Sequence, residues 1–326
     1  MADSLYTSNS KIKYLLKLAR FFIILIFLDF IIGQGLRYLY FHQNSGGCYN
    51  TTYSIEKTSE DIIVIGASRA AHHYIPKIFA DILGYSCYNA GLDGQSIVYQ
   101  KAVLSGILSR YKPKLIILDT AEAGLFREFN NYNALSVLLP YYSSHKDIQP
   151  LLELKSNFEK YKLLSGIYPF NGMILRIVKN NLTPEKRIDG YAPLYGFMKK
   201  DEANPMPPSL NIDTDAIHTL ETFLASCNNA GVRVVGIISP VYTKDAMAND
   251  QRSFELTKEI FKKHGVPLWD YSDDGIISTR PELFADIGHL NHKGAQIYTR
   301  EIVSRINEEL SIAIPDNITD SEIPVQ

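Results

Sequence analysis

Near the C-terminal end of the chain, Asp286 stands three positions before His289 in the run Asp286-Ile287-Gly288-His289. Far upstream, Ser68 follows the apolar run 62–65 and the small residues Gly66 and Ala67. A serine hydroxyl is a poor nucleophile until a base takes its proton. His289 can be that base. Asp286 can fix the imidazole tautomer and stabilise the imidazolium, and one loop or turn can present both groups. Those three residue types are the parts of a nucleophilic hydrolase or acyltransferase. Taken singly they say little. A strand-end serine is more often a helix N-cap, and a lone histidine is more often a surface or core residue. The pattern of an early serine and a late Asp-x-x-His carries the expectation.

These residues must be held by a scaffold, and the apolar pattern supplies one. Runs at 61–65, 87–89, 114–118, 233–238 and 266–269 are short and mostly rich in Val and Ile, as buried parallel strands are. Amphipathic stretches lie between several of them. The stretch 97–111 puts Val98, Leu104 and Leu108 on one side, and 215–230 and 254–264 precede the last two strands. Gly231 and Gly265 read as helix stops, and 293–310 reads as the closing helix. The alternation predicts a doubly wound parallel α/β sheet, with Ser68 at the carboxyl end of its first strand. The interval from about 120 to 211 breaks the rhythm with aromatics, prolines and glycines. A structureless loop of that length is improbable, so it reads as a mostly helical insertion over the carboxyl edge of the sheet, where open α/β folds bind ligands.

With these motifs in place, the chain resembles the SGNH (GDSL-like) hydrolase family. Gly66-Ala67-Ser68 stands where that family has Gly-Asp-Ser, with Ala67 replacing the acid. Asn89-Ala90-Gly91-Leu92-Asp93-Gly94 is similar to the second block, and Gly94 matches the glycine whose amide helps form the oxyanion hole beside that of Ser68. Asp286 and His289 match the last block. The departure is the third block, where Glu122 takes the place of an oxyanion-donating Asn. An ionised carboxylate cannot donate a hydrogen bond and would repel an oxyanion. The resemblance implies a three-layer α/β/α sandwich with a flavodoxin-like five-stranded parallel sheet over 61–314. It also implies ester hydrolysis or O-acyl transfer through an acyl-enzyme, with an acylated carbohydrate of the cell surface as the substrate class. The alternative is a catalytically silent fold that binds carbohydrate or serves as a scaffold subunit in surface-polysaccharide assembly, which the Glu122 substitution favours. Arg69, His72 and Glu122 are candidate substrate-binding residues. His292 lies near His289, but the spacing from Asp286 favours His289.

The rest of the chain bounds the reading. Net charge is −2 over 326 residues, which gives no global electrostatic case for nucleic acid. Cys48, Cys87 and Cys227 fit neither a zinc ribbon nor a disulfide scaffold, and no cofactor or metal is expected. At the N-terminus Lys11, Lys13, Lys17 and Arg20 precede an apolar run that begins at Phe21. The stretch 14–41 predicts a transmembrane signal anchor over 1–41 with a cytoplasmic N-terminus and an extracytoplasmic catalytic domain. Asp29 interrupts the span and is a point where a membrane-protein partner could contact it. Residues 42–60 read as a linker, and 315–326 as a flexible tail.

Overall fold

The computed structural model describes residues 2–121, 124–127, 129–183, 187–198, 211–242, 251–273 and 275–309. Five strands form one parallel sheet in the order β2-β1-β3-β4-β5: β1 (Ile62–Ile65), β2 (Cys87–Asn89), β3 (Leu115–Asp119), β4 (Arg233–Ile238) and β5 (Leu268–Asp270). This is the flavodoxin-like order. Its switch point lies between β1 and β3, where ligands reach the carboxyl ends of the strands. Ser68 follows β1 and Thr120 follows β3, so the strand order reverses beside the candidate nucleophile.

Strands β1 to β3, and β4 beyond Arg233, are buried on both faces, and their side chains alternate between two cores. Ile63, Ile65, Ile116, Leu118 and Val234 enter one core. Ile62, Val64, Leu115, Ile117 and Val235 enter the other. The first core is covered by α2 (Gly46–Glu56), α5 (Ile97–Leu108), α10 (Thr214–Ala230) and α11 (Arg252–Lys263). The second is covered by α4 (Pro76–Leu83) and α12 (His292–Glu309), with the short α3 (Ser68–His73) at its upper end. That arrangement is a three-layer α/β/α sandwich. Local chemistry sets the helix ends. Asp213 caps α10 by accepting from the Asp215 amide, and Gly231 ends it in the left-handed region at φ 69°. A two-stranded antiparallel hairpin, β6 (Phe284–Asp286) and β7 (His289–Leu290), precedes α12 and carries the late Asp and His.

The described part of the insertion is built of short helices: α6 (Phe129–Ala134), α7 (Gln149–Glu153), α8 (Glu159–Lys162) and α9 (Ile174–Leu182), with 3₁₀ turns at Leu135–Tyr141 and Tyr168–Met173. Its return segment is stitched to β2 and to α3. The Asn89 amide donates to Asp189 O at 2.9 Å, and the Ala192 amide to Ala71 O at 2.9 Å.

Two expectations are corrected. Residues 46–56, expected in a linker, form α2, whose Cys48 and Ile55 are fully buried. The polar run folds because Asn50 is paired on both sides, donating to Gly91 O at 3.0 Å and accepting from Tyr88 Oη at 2.6 Å. The N-terminal stretch is helical throughout, as α1 (Ala2–Phe41). Yet among the described residues no helix is long and apolar enough to cross a membrane. The uninterrupted apolar run is only 21–28, about 12 Å of helix against ~30 Å of hydrocarbon. Asp29 ends it, and its carboxylate is spent on the folded domain. It accepts from Ser165 Oγ and the Gly166 amide, both at 2.6 Å, and from the Ile167 amide at 3.2 Å. Gly33 lies against the Gly166 backbone so closely that a Cβ would stand 2.5 Å from its carbonyl carbon. From Asp29 onward α1 is therefore part of the domain. Residues 315–326 lie outside the described residues.

Candidate active site

Ser68 is the first residue of α3, one position past its cap Ala67, so its Oγ is not the capping group. It lies instead 2.7 Å from His289 Nε2. The other ring nitrogen, Nδ1, stands 2.8 Å from Asp286 Oδ1 and 3.0 Å from Oδ2. A carboxylate only accepts, so Nδ1 carries the hydrogen and Nε2 is left to accept from Ser68 Oγ–H. The three side chains come from two elements 218 positions apart, β6–β7 and the start of α3. Burial would raise the Asp286 pKa, but the hydrogen bond and charge of His289, helped by the Gly288 amide, bring it below the ordinary value. Asp286 is thus ionised at neutral pH.

Glycine sets the closeness of this junction. A Cβ on Gly91 would strike the Ala71 nitrogen and stand 2.8 Å from the Ala70 carbonyl carbon. The loop after β2 can therefore lie directly on α3 only with glycine there. Asn89 tightens the same contact, donating to Ala70 O at 2.7 Å and Tyr74 O at 2.9 Å while its Oδ1 accepts from the Gly91 amide. Gly94, the expected oxyanion donor, is exposed in that loop in the left-handed region at φ 68°. Its neighbour Asp93 binds His72 Nε2 at 3.2 Å.

His72 is only 8% exposed, and both its nitrogens are engaged, since Nδ1 faces Ala192 O at 2.6 Å. Two acceptors require two ring hydrogens. Burial would lower its pKa, but the bonds to Asp93 and Ala192 outweigh that and raise it. The residue expected to touch substrate is thus a clamp between α3, the Gly94 loop and the insertion, with its ring 5.5 Å from that of His289. His73 behaves oppositely. It is fully buried, its Nε2 accepts from the Leu290 amide at 2.9 Å, and burial drives its pKa well down. It pins the β7 backbone that bears His289.

Behind the site, Asp119 at the end of β3 is buried. It accepts from Tyr74 Oη at 2.7 Å and from Ser239 Oγ, and the Tyr298 hydroxyl stands 3.2 Å from both of those hydroxyls. Burial raises its pKa, against the pull of the Arg69 charge. Arg69 also donates to Ser239 O at 3.2 Å, so the residue expected at the substrate also braces β4. A cavity of about 200 Å³ opens beside Ser68, lined by Arg69, Gln100, Thr120, Asn131 and Leu220 among others. Glu122 lies outside the described residues. His292 is turned to Tyr191 Oη at 3.0 Å and takes no part in the Ser68 contact.

No protein-family model and no curated protein matches this chain. Among solved structures it is similar to an acetyl xylan esterase, with 12% identity, a TM-score of 0.38, and coverage of 75% of this chain and 96% of that one. It is also similar to a variant of the esterase AlinE4, with 15% identity, a TM-score of 0.35, and coverage of 78% and 96%. Those TM-scores make these likenesses only, and the functional reading rests on the geometry of the site.

Proposed function

We propose that this protein is a serine-dependent ester hydrolase or O-acyltransferase. The observation that carries it is the single hydrogen-bonded line from Ser68 Oγ through His289 to Asp286. Ser68 Oγ attacks the ester carbonyl carbon as its proton passes to His289 Nε2. The negative charge moves to the carbonyl oxygen, faced by the backbone amides of Ser68 and Gly94. Collapse breaks the bond to the leaving alcohol, which takes the proton from Nε2 and departs. A water molecule, or a hydroxyl of an acceptor, then gives its proton to Nε2 and attacks the acyl-enzyme, and Ser68 is restored. Asp286 holds the ring and balances the imidazolium throughout.

The cavity beside Ser68 is smaller than the ~300–1,000 Å³ of drug-sized ligand sites, which favours a short acyl group such as acetyl. An acylated surface polysaccharide is the proposed substrate. A membrane seat is proposed for α1, whose side chains over 21–28 are 44–69% exposed and follow basic Lys13, Lys17 and Arg20.

A fluorophosphonate probe tests the reading. It should label the native protein and spare Ser68→Ala and His289→Ala, and short-chain acyl esters should turn over only in the native protein. An unlabelled native protein with no turnover would instead favour a silent fold that binds carbohydrate.

A further inference from the structure

Helix α9 wears its apolar face outward. Ile177 and Asn180 form its inner side, at 1% and 8% exposure, while Leu175, Val178 and Leu182 stand 86%, 47% and 75% exposed. Those three share one helical face by their spacing of three and four. The inward Asn180 is spent on polar contacts. Its Nδ2 donates to Gln43 Oε1 at 2.9 Å, and its carbonyl accepts from Ser45 Oγ at 3.4 Å. A water-facing helix would show the reverse arrangement.

Exposed apolar side chains recur just upstream in the insertion. Leu164, 83% exposed, directly precedes the Ser165–Ile167 turn that holds Asp29 of α1. Phe158 and Tyr161 are 67% and 60% exposed beside it. On the other side, α9 packs along α1, where Asn181 Nδ2 reaches Leu39 O at 3.5 Å. Exposed apolar side chains gathered on one helix face in this way mark an interaction site.

The charge identifies the partner. Between positions 155 and 183 the chain has five basic residues, Lys155, Lys160, Lys162, Arg176 and Lys179, and one acid, Glu159. Glu159 is fully buried, bonded to Lys162 and Tyr168. The chain as a whole carries −2, so this surface is a local reversal of sign. Two copies meeting through it would bring like charges together. Apolar side chains flanked by cations suit an interfacial helix on anionic lipid.

We propose that α9 and the 158–164 segment rest on an anionic lipid surface, with Leu175, Leu182 and Leu164 in the acyl boundary and Lys179 among the phosphates. This extends the membrane seat proposed for α1, on which it rests, from one helix to a face of the domain. It fixes which side of the insertion turns toward the membrane.

The test uses the full chain with an environment-sensitive fluorophore on Leu175→Cys, Leu182→Cys and, as control, Lys77→Cys on α4 across the sheet. The three native cysteines are buried. With phosphatidylcholine/phosphatidylglycerol vesicles, the labels at 175 and 182 should shift to the blue and be quenched by nitroxide-bearing lipid. The label at 77 should do neither, and vesicles of phosphatidylcholine alone should give a smaller response. Protein that sediments with the vesicles while the labels at 175 and 182 stay water-like overturns this inference and leaves the α1 seat standing. Protein that does not bind vesicles overturns both. A concentration-dependent blue shift without lipid would assign the face to a second copy and overturn the lipid assignment.

Discussion

Replacing Asp286 tests how much of the site's power comes from charge and how much from the tautomer it enforces. The carboxylate oxygens lie 2.8 and 3.0 Å from His289 Nδ1. Unit charges ~3 Å apart attract by about 5–6 kcal/mol at an effective dielectric of ~20 and by about 1.4 kcal/mol at that of water. The Asp286 side chain is 47% exposed, so water screens the pair and the lower figure is the nearer one. A loss of about 2–3 kcal/mol corresponds to roughly 30–150-fold in rate. Asp286→Ala should therefore lower the turnover of a short-chain acyl ester by about 10²-fold, with water replacing the lost acceptor. Asp286→Asn should be worse by about another tenfold. Its side-chain amide can donate to Nδ1, which puts the ring hydrogen on Nε2, where it cannot accept from Ser68. The rates of turnover and of fluorophosphonate labelling should fall together. An Asp286→Ala variant within threefold of the native rate would refute the assignment of Asp286, and a fall of 10⁴-fold or more would refute the screening argument.

Three further outcomes follow from the packing around the site. Gly91→Ala should destabilise the protein by about 1–3 kcal/mol and depress fluorophosphonate labelling, because its Cβ must push α3, and so Ser68, away from the loop; unchanged melting and labelling would count against that contact. His73 stays neutral in the fold while the unfolded chain takes up a proton below about pH 6.5, so its contribution is fully present above that pH and declines as the pH falls. His73→Phe should flatten the melting temperature against pH in that acid range, while costing about 1–3 kcal/mol at neutral pH by orphaning the Leu290 amide; an equally steep acid profile would refute it. Asp29→Ala should raise amide hydrogen exchange at Gly166 and Ile167 with the rate at Ser68 unchanged, and protection as in the native protein would show that the Asp29 contacts do not hold that turn.

Much of this molecule is legible in its sequence because its inner strands are buried on both faces. Such strands read as plain apolar runs, and four of the five lie within a residue of the runs that foretell them. The exception is β5, at Leu268–Asp270 rather than 266–269, where the pairing of Gly236 with Leu268 sets the register. The Ser68, Asp286 and His289 contacts are legible because each lies at a chain position with its own pattern. Helix α2 is not. Its Thr51 and Thr52 look like linker residues, and become core only because Tyr99 and Tyr141, far along the chain, supply hydroxyl partners at 2.9 and 2.7 Å. Asp29 misleads for the same reason. A carboxylate inside an apolar run is unpaired in one dimension, and its three donors lie some 136 positions away. The His72–Asp93 pair is equally silent, since neither residue has a periodic or motif signature.

The histidines show why the spatial partners, and not the residue type, decide the chemistry. Three imidazoles meet near Ser68, with the rings of His72 and His73 at 5.5 and 6.4 Å from that of His289. His73 is fully buried and its Nε2 accepts from a backbone amide, so it is neutral and structural. His72 faces a carbonyl and a carboxylate, so it holds two hydrogens and carries charge, which Asp93 balances. Only His289 has an acceptor on one nitrogen and a hydroxyl on the other, the pairing that lets a ring take a proton and return it. Without Asp93, burial would favour loss of the second ring hydrogen of His72, and Nε2 would lose its partner. The salt link therefore does two jobs: it ties the Gly94 loop to α3, and it keeps the second hydrogen on His72. On that account His72→Gln, which keeps a donor toward Asp93, should preserve more activity than Asp93→Asn, which withdraws the carboxylate that holds the second hydrogen on His72 and so loosens the Gly94 loop from α3. Comparing the two rates of acyl-ester turnover decides it, and the opposite ranking would refute the role given to the Asp93 charge.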